Sequence, residues 1–450
     1  MNPTPPTESP ITMSESRRRR TLTWVVVLST AALIFDGFDL VVYGTVVPTL
    51  LDDPTQLGAI SPQQAGALGS YALVGVLVGA LCAGAVGDLI GRRRVILVNL
   101  AWFSVGMGLT AVAQSVTTFG LFRFLTGIGV GALVATVGAL VAEFAEPHQR
   151  NRLNAVVYSG VPAGGVLAAV VALVFADSDS WRLMFAFGAL PLFLLLPLAM
   201  WKLPESPQWM LSRGQHARAA ESAARTGVTL SDSEPDGSRA GFAALACRPL
   251  VWPTALLGTM SFVGLLLTYG LNTWLPHIMQ VNGFGKAYSL MFLLVLNLGA
   301  IIGGLIASYA ADRIGGAQRV VMTTFVLAAA MLVLLTLQLP LPVLLLAVAI
   351  AGVGTIGTQV LIYGLVAGYY PTRARAAGVA WCAGFGRLGG IVGPVVGGVL
   401  VGAGIGGSVA FVIFAVLALL GAAVTAFVPR REPPRDVSSD PGAEVLATTM

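Results

Sequence analysis

Twelve stretches of about twenty or more predominantly apolar residues follow one another along this chain. Each is long enough to cross the roughly 30 Å hydrocarbon core of a bilayer as a helix. They lie near 22–50, 64–88, 94–114, 117–142, 152–176 and 181–203, then 250–278, 287–311, 318–338, 342–366, 374–402 and 407–428. A backbone in lipid must satisfy its own hydrogen bonds, so runs of this length predict helices. Only 10% of the 450 residues are charged and 56% are hydrophobic, whereas ordinary globular chains are about a quarter charged. That balance excludes a soluble enzyme and a disordered chain. Glycine, at 54 residues, suits helices that pack closely in lipid. Cys82, Cys247 and Cys382 are scattered and imply neither a disulfide framework nor a metal set.

The net charge of +5 would fit a nucleic-acid binder, but the placement of the charges argues for topology instead. Of the 26 Lys and Arg residues, all but Arg123, Arg182, Lys286 and Arg387 fall in the even-numbered connections and the two tails. That is the positive-inside pattern for a protein with both termini in the cytoplasm. The first apolar run is too long for a signal-peptide core and reads as an uncleaved helix. The expected organisation is a cytoplasmic tail 1–21, a six-helix half 22–203, a cytoplasmic connection 204–249, a second half 250–428 and a tail 429–450. A short helix is expected around 215–225, and the tail from Arg430 is expected to be disordered.

The halves echo one another. Asp88-Leu-Ile-Gly-Arg-Arg-Arg after the second span has a counterpart in Asp312-Arg-Ile-Gly-Gly-Ala-Gln-Arg after the eighth. Glu146-Pro147 corresponds to Tyr370-Pro371, and Tyr43-Gly44 to Tyr269-Gly270. Three matches in register point to a duplication. The implied fold class is an all-α membrane protein of twelve transmembrane helices in two six-helix pseudo-symmetric halves. In such transporter folds the site lies at the interface of the halves near mid-membrane.

At this point the residues resemble a known family. Gly84-Ala-Val-Gly-Asp88-Leu-Ile-Gly91-Arg92-Arg93-Arg94 resembles the signature loop of the major facilitator superfamily at every defining position. Asp36-Gly37-Phe38-Asp39-Leu-Val-Val-Tyr43-Gly44 is similar to the first helix of its aromatic acid:proton symporter family. Pro204-Glu205-Ser206-Pro207 resembles the sugar-porter branch. The resemblance implies the major facilitator fold and proton-coupled import of benzoate, a hydroxybenzoate, gentisate or a similar acid into the cell. Gly389-Gly390-Ile-Val-Gly393-Pro394-Val-Val-Gly397-Gly398 resembles an antiporter pattern but stands on the eleventh span rather than the fifth, and reads as a close-packing surface.

Ionisable residues at mid-bilayer are expensive and each asks for a reason. Asp36 and Asp39 are three apart on one helix face, with Tyr43 four further on. Two neighbouring carboxylates in a low dielectric resist double ionisation, as a proton-exchanging site requires; the alternative is a static polar pair. Arg387 lies at the same depth in the other half, either as a bidentate anchor for a substrate carboxylate or as a structural ion-pair partner. Trp381 and Phe385, one turn apart, offer a stacking face for an aromatic ring or simple packing. Tyr43 is grouped with these three as substrate-binding.

Arg123 opens Arg123-Phe-Leu-Thr-Gly127-Ile-Gly129-Val-Gly131, which resembles a superfamily motif linked to proton coupling. It starts roughly 10 Å outward of its helix midpoint, within reach of Asp39. Glu143, at the inner edge, is either an inner proton acceptor or a gate partner for an arginine. Gly84, Asp88, Gly91, Arg92, Arg93 and Arg94 are expected to form a conformational latch, topology alone being the alternative.

His148, His216 and His277 show no metal spacing, and no nucleophile set, phosphate loop or dinucleotide fingerprint occurs, so no enzyme activity and no cofactor are expected. The expected partners are a small aromatic carboxylate, protons and the lipid bilayer, with no nucleic acid and a functional monomer. A sugar or other organic-acid porter, a drug or metabolite antiporter, and a membrane receptor or enzyme of the same fold stand as rivals.

Overall fold

A computed structural model describes residues 10–146, 149–176, 180–227, 245, 250–314 and 316–429. Twelve helices among them are long and apolar enough to cross a membrane. In the first half these are α1 (Pro10–Asp52), α2 (Pro62–Ile90), α3 (Arg92–Ala111), α4 (Val116–Phe144), α5 (Arg152–Val174) and α6 (Trp181–Lys202). In the second half they are α7 (Val251–Val281), α8 (Lys286–Ile314), α9 (Ala317–Leu334), α10 (Leu341–Tyr369), α11 (Thr372–Gly402) and α12 (Gly407–Phe427). Two short helices, Pro207–Ser212 and His216–Thr226, follow α6. The tail from Arg430, the pair Pro147-His148 and most of the remaining connection lie outside the described residues.

The elements depart from the apolar runs where local chemistry dictates. Helix α1 begins at Pro10, well before the run at residue 22, because Glu15 and Arg17–Arg20 are good helix formers in water. Arg19 donates to Glu15 one turn earlier at 2.8 Å, and Arg18 pairs with Glu146 beyond α4. In α6 a 3-10 turn at Leu190–Leu192 accommodates Pro191, which has no N–H to give. Helix α10 carries a π-turn at Val353–Gly357, flanked and punctuated by glycine.

The two halves are built alike. In the first, α1 packs on α5, α2 on α4 and α3 on α6; in the second, α7 packs on α11, α8 on α10 and α9 on α12. Glycine makes these contacts possible by letting backbones touch. A Cβ on Gly127 would collide with the Ala72 carbonyl of α2, and one on Gly389 with the Phe262 carbonyl of α7. The antiporter-like glycine run of α11 is thus spent on α7 through Gly389, Gly390, Gly393 and Gly397, while Pro394 and Gly398 lie against α2. Gly127→Leu is expected to destabilise the folded protein by about 3 kcal/mol through overpacking, read as a lowered thermal midpoint in detergent; an unchanged midpoint would contradict this contact.

Between the halves, α1 meets α7, α2 meets α11, and the Gly160–Val174 portion of α5 meets α8. Gly44 packs on the Asn272 carbonyl, Gly66 on the Pro394 carbonyl and Gly165 on the Asn297 side chain. Hydrogen bonds cross the seam from Lys286 Nζ to the Ala176 carbonyl (2.9 Å) and from Ser70 Oγ to the Ile391 carbonyl (2.6 Å). At mid-depth the bond from Arg387 Nη1 to the Val76 carbonyl (2.8 Å) is added. The seam is therefore closed at the end bearing the α1–α2 connection. Toward the end bearing the start of α1, the ion pairs Arg18–Glu146 and Arg92–Glu143 both stay within the first half.

Candidate functional site

The acidic face of α1 is buried at the centre of the molecule, with Asp36 1% and Asp39 0% exposed. The two carboxylates have different neighbours. Asp39 is ion-paired with Arg123 of α4, itself 1% exposed, and Arg123 Nη1 also donates to the Asp39 carbonyl at 3.3 Å. Burial of both charges is tolerable only because they are matched and hydrogen-bonded. The Arg123 guanidinium lies 5.6 Å from the ring centres of both Tyr43 and Phe185, so aromatic faces cover the rest of it. Tyr43, expected on the sequence to bind substrate, is part of this casing: its hydroxyl donates to the Ala65 carbonyl of α2 at 2.6 Å.

Asp36 has no such cation against it. Its Oδ1 is buried without a hydrogen-bond partner, and the charges that act on it are Asp39 along the helix and Arg387 across the seam. Arg387 is half-buried on α11. Beyond its bond to Val76, no carboxylate among the described residues forms an ion pair with it. A Cβ at Gly384, three residues earlier on α11, would meet nothing within 4 Å. Trp381 and Phe385 stack on each other with ring centres 5.3 Å apart and planes 17° from parallel. Trp381 Nε1 donates to the Thr254 carbonyl at 3.1 Å and Phe262 flanks Phe385 at 5.8 Å, which fixes the slab to α7.

Three tyrosines complete the centre, and sequence reasoning missed their role. Tyr158 of α5, Tyr269 of α7 and Tyr363 of α10 all lie within electrostatic range of Arg387, and the first two within range of Asp36. Tyr269 had a usable signal, since Tyr269-Gly270 repeats Tyr43-Gly44. Tyr158 and Tyr363 had none. A site with a paired carboxylate, an unpaired one, a guanidinium bonded only to a backbone carbonyl and phenolic walls is equipped to bind a carboxylate and a proton together.

The residues at the end bearing the start of α1 form a separate cluster. Arg92 Nε lies 3.4 Å from Glu143 Oε1, and Glu143 also meets the Ser206 side chain. Glu205 accepts from the Arg93 backbone N–H at 2.9 Å, while Arg93 Nη2 donates to the Met200 carbonyl at 2.6 Å. Gly91 adopts φ 101°, a backbone open to glycine, and a Cβ there would sit 2.6 Å from the Glu205 carboxylate. Arg94 is exposed. Gly84 and Asp88 fall in the last turns of α2, and their side chains lie outside the described residues. These contacts join α3 to the end of α4 and to α6 and the segment after it; Glu143 stands beside Arg92, about 30 Å along α4 from Arg123 at 1.5 Å per residue, rather than against Asp39.

The Major Facilitator Superfamily profile matches residues 29–367 and again 294–448. The chain is 35% identical over 401 residues to the gentisate transporter of Corynebacterium glutamicum, covering 88% of this chain and 85% of that one. It is 32% identical over 419 residues to the benzoate transport protein of Acinetobacter baylyi, covering 90% and 88%. It is 30% identical over 403 residues to the gallate transporter of Pseudomonas putida, covering 86% and 88%. Among solved structures, a partially occluded inward open conformation of the xylose transporter XylE from E. coli superposes with a TM-score of 0.72. That match spans 91% of this chain and 98% of the other at 21% identity, a likeness of fold.

Proposed function

Because this chain belongs to the Major Facilitator Superfamily and is a multi-pass membrane transporter rather than an enzyme, we propose that it imports an aromatic carboxylic acid together with protons by alternating access. The observation that carries the reading is a buried Asp36 with an unpartnered oxygen that lies within electrostatic range of Arg387 across the seam, an arginine with no ion-pair partner among the described residues. The names of the relatives, transporters of gentisate, benzoate and gallate, support the substrate class.

Arg387 receives the carboxylate, its planar fork matching two oxygens at once. Trp381 and Phe385, six and two residues before it on α11, supply a stacked face for the ring. Asp36 carries the proton: a desolvated carboxylate without a cation against it is held most cheaply as the neutral acid. Asp39, Arg123 and the Tyr43 casing keep the second carboxylate in place and set the field that Asp36 feels. In the outward-facing state Asp36 takes up a proton, which releases Arg387 for the substrate. The halves then rock, and loss of proton and substrate on the inside restores attraction between Asp36 and Arg387.

With the termini in the cytoplasm, as the positive-inside pattern supports, the closed seam is the outer one and this is an inward-facing form. Glu143 and the cluster Gly84, Asp88, Gly91 and Arg92–Arg94 then serve opening and closing of the inner end. We assign the protein to the cell membrane as a functional monomer. Reconstituted into proteoliposomes with an acidic exterior, it should accumulate benzoate, gentisate or 4-hydroxybenzoate and leave xylose untouched. Xylose uptake with no aromatic-acid uptake would overturn the substrate class, and uptake indifferent to the pH gradient would overturn proton coupling.

A further inference from the structure

Beside Arg387 lies a polar group that the transport cycle above does not use. Gln359 stands on α10 just past the π-turn and is only 6% exposed. Its Nε2 donates to Ser261 Oγ of α7 at 3.0 Å, whereas its Oε1 is buried with no hydrogen-bond partner. Tyr363, one turn further along α10, places its side chain against those of both Gln359 and Ser261 and within electrostatic range of Arg387. Tyr363 is half-buried, whereas Gln359 and Ser261 are buried, so it is the most accessible member of the group. Gly386, next to Arg387, lets Ser261 approach α11, since a Cβ there would collide with the serine hydroxyl.

As placed, Gln359 Oε1 is left without a donor. A buried acceptor left without a donor is costly, and native interiors seldom keep one. A tyrosine hydroxyl is both donor and acceptor, so it can pass a hydrogen bond along. The Tyr363 O–H can turn and donate to Gln359 Oε1, which leaves the phenol oxygen open to accept from a ligand O–H, and both oxygens are then paired. A plain hydrocarbon ring supplies no such donor.

We propose that Tyr363, positioned by Gln359 and Ser261, recognises a hydroxyl group on the ring of the carboxylate held at Arg387, so that the transporter selects phenolic acids over benzoate. This rests on the aromatic-acid reading given above. A site built to hydrogen-bond a hydroxyl discriminates strongly against the analogue that lacks it.

The test is the ratio of half-saturating concentrations for proteoliposome uptake of benzoate and of 3-hydroxy-, 4-hydroxy- and 2,5-dihydroxybenzoate. Wild-type protein should favour at least one hydroxylated acid by about tenfold or more. In Tyr363→Phe, which removes only the hydroxyl, the preference should shrink to about twofold or less, and Gln359→Leu should shrink it in the same direction. A merely structural role would alter uptake of all four acids together and leave the ratio alone. If Gln359→Leu fails to insert, Ser261→Ala, which frees the amide at no cost in volume, takes its place. Wild-type uptake of all four acids at equal half-saturation, or an unchanged ratio in Tyr363→Phe, overturns the subsite alone. Wild-type protein that takes up none of them overturns the aromatic-acid reading and the subsite with it.

Discussion

Proteoliposomes carrying Asp36→Asn are expected to exchange labelled substrate across the membrane but not to concentrate it when the exterior is acidified. Asparagine keeps the shape of the side chain and a polar tip, so the central packing is preserved, but it binds no proton in this range. Each coupled proton brings about 1.4 kcal/mol per unit of pH difference, or about tenfold accumulation. The variant should lose that factor while counterflow persists. Full accumulation by Asp36→Asn would remove this residue from the coupling mechanism. Asp39 is the poorer place for the same experiment. Replacing it strands the Arg123 guanidinium in a buried site, a change that costs about 3–5 kcal/mol when one partner of a buried pair is removed. A defect in Asp39→Asn would therefore mix folding with function, which the choice of Asp36 avoids.

The second large effect is expected at Arg387. Arg387→Lys keeps the charge but replaces a planar fork by a single ammonium, and one of the two carboxylate contacts is lost. Charge-assisted hydrogen bonds contribute about 1.5–3 kcal/mol each, so the half-saturating concentration for uptake should rise roughly 10- to 150-fold. Maximal rate should fall less, because the lysine still neutralises the carboxylate. An unchanged half-saturating concentration would take the anchor role away from this residue.

What is legible in the sequence is whatever is local or set by depth. The twelve spans follow from hydrocarbon thickness, and the Asp39–Arg123 pair follows from counting helical rises from the same level of the membrane. Neighbourhoods between helices far apart in the chain were not legible. The spacing of Asp36 and Asp39 places them on one face but does not reveal that Arg123 engages only one of them. Tyr43 reads as a cavity residue until the Ala65 carbonyl is known to sit above it. The π-turn at Val353–Gly357 has the same effect on a larger scale. One extra residue per turn rotates everything after it by about 100° relative to an unbroken helix. Gln359 and Tyr363 consequently point where no periodicity count on α10 would have sent them.

The four ionisable side chains at the centre have a consequence for energetics. Two aspartates and two arginines sum to zero when all are ionised, so the resting site carries no net charge through the membrane as the halves rock. Binding one carboxylate makes the sum minus one, and one proton returns it to zero. A one-proton cycle would therefore be driven by the pH difference alone and be blind to membrane voltage, in both its loaded and its empty passages. Any voltage dependence of uptake would count a further proton, at about 2.3 kcal/mol for each 100 mV it crosses.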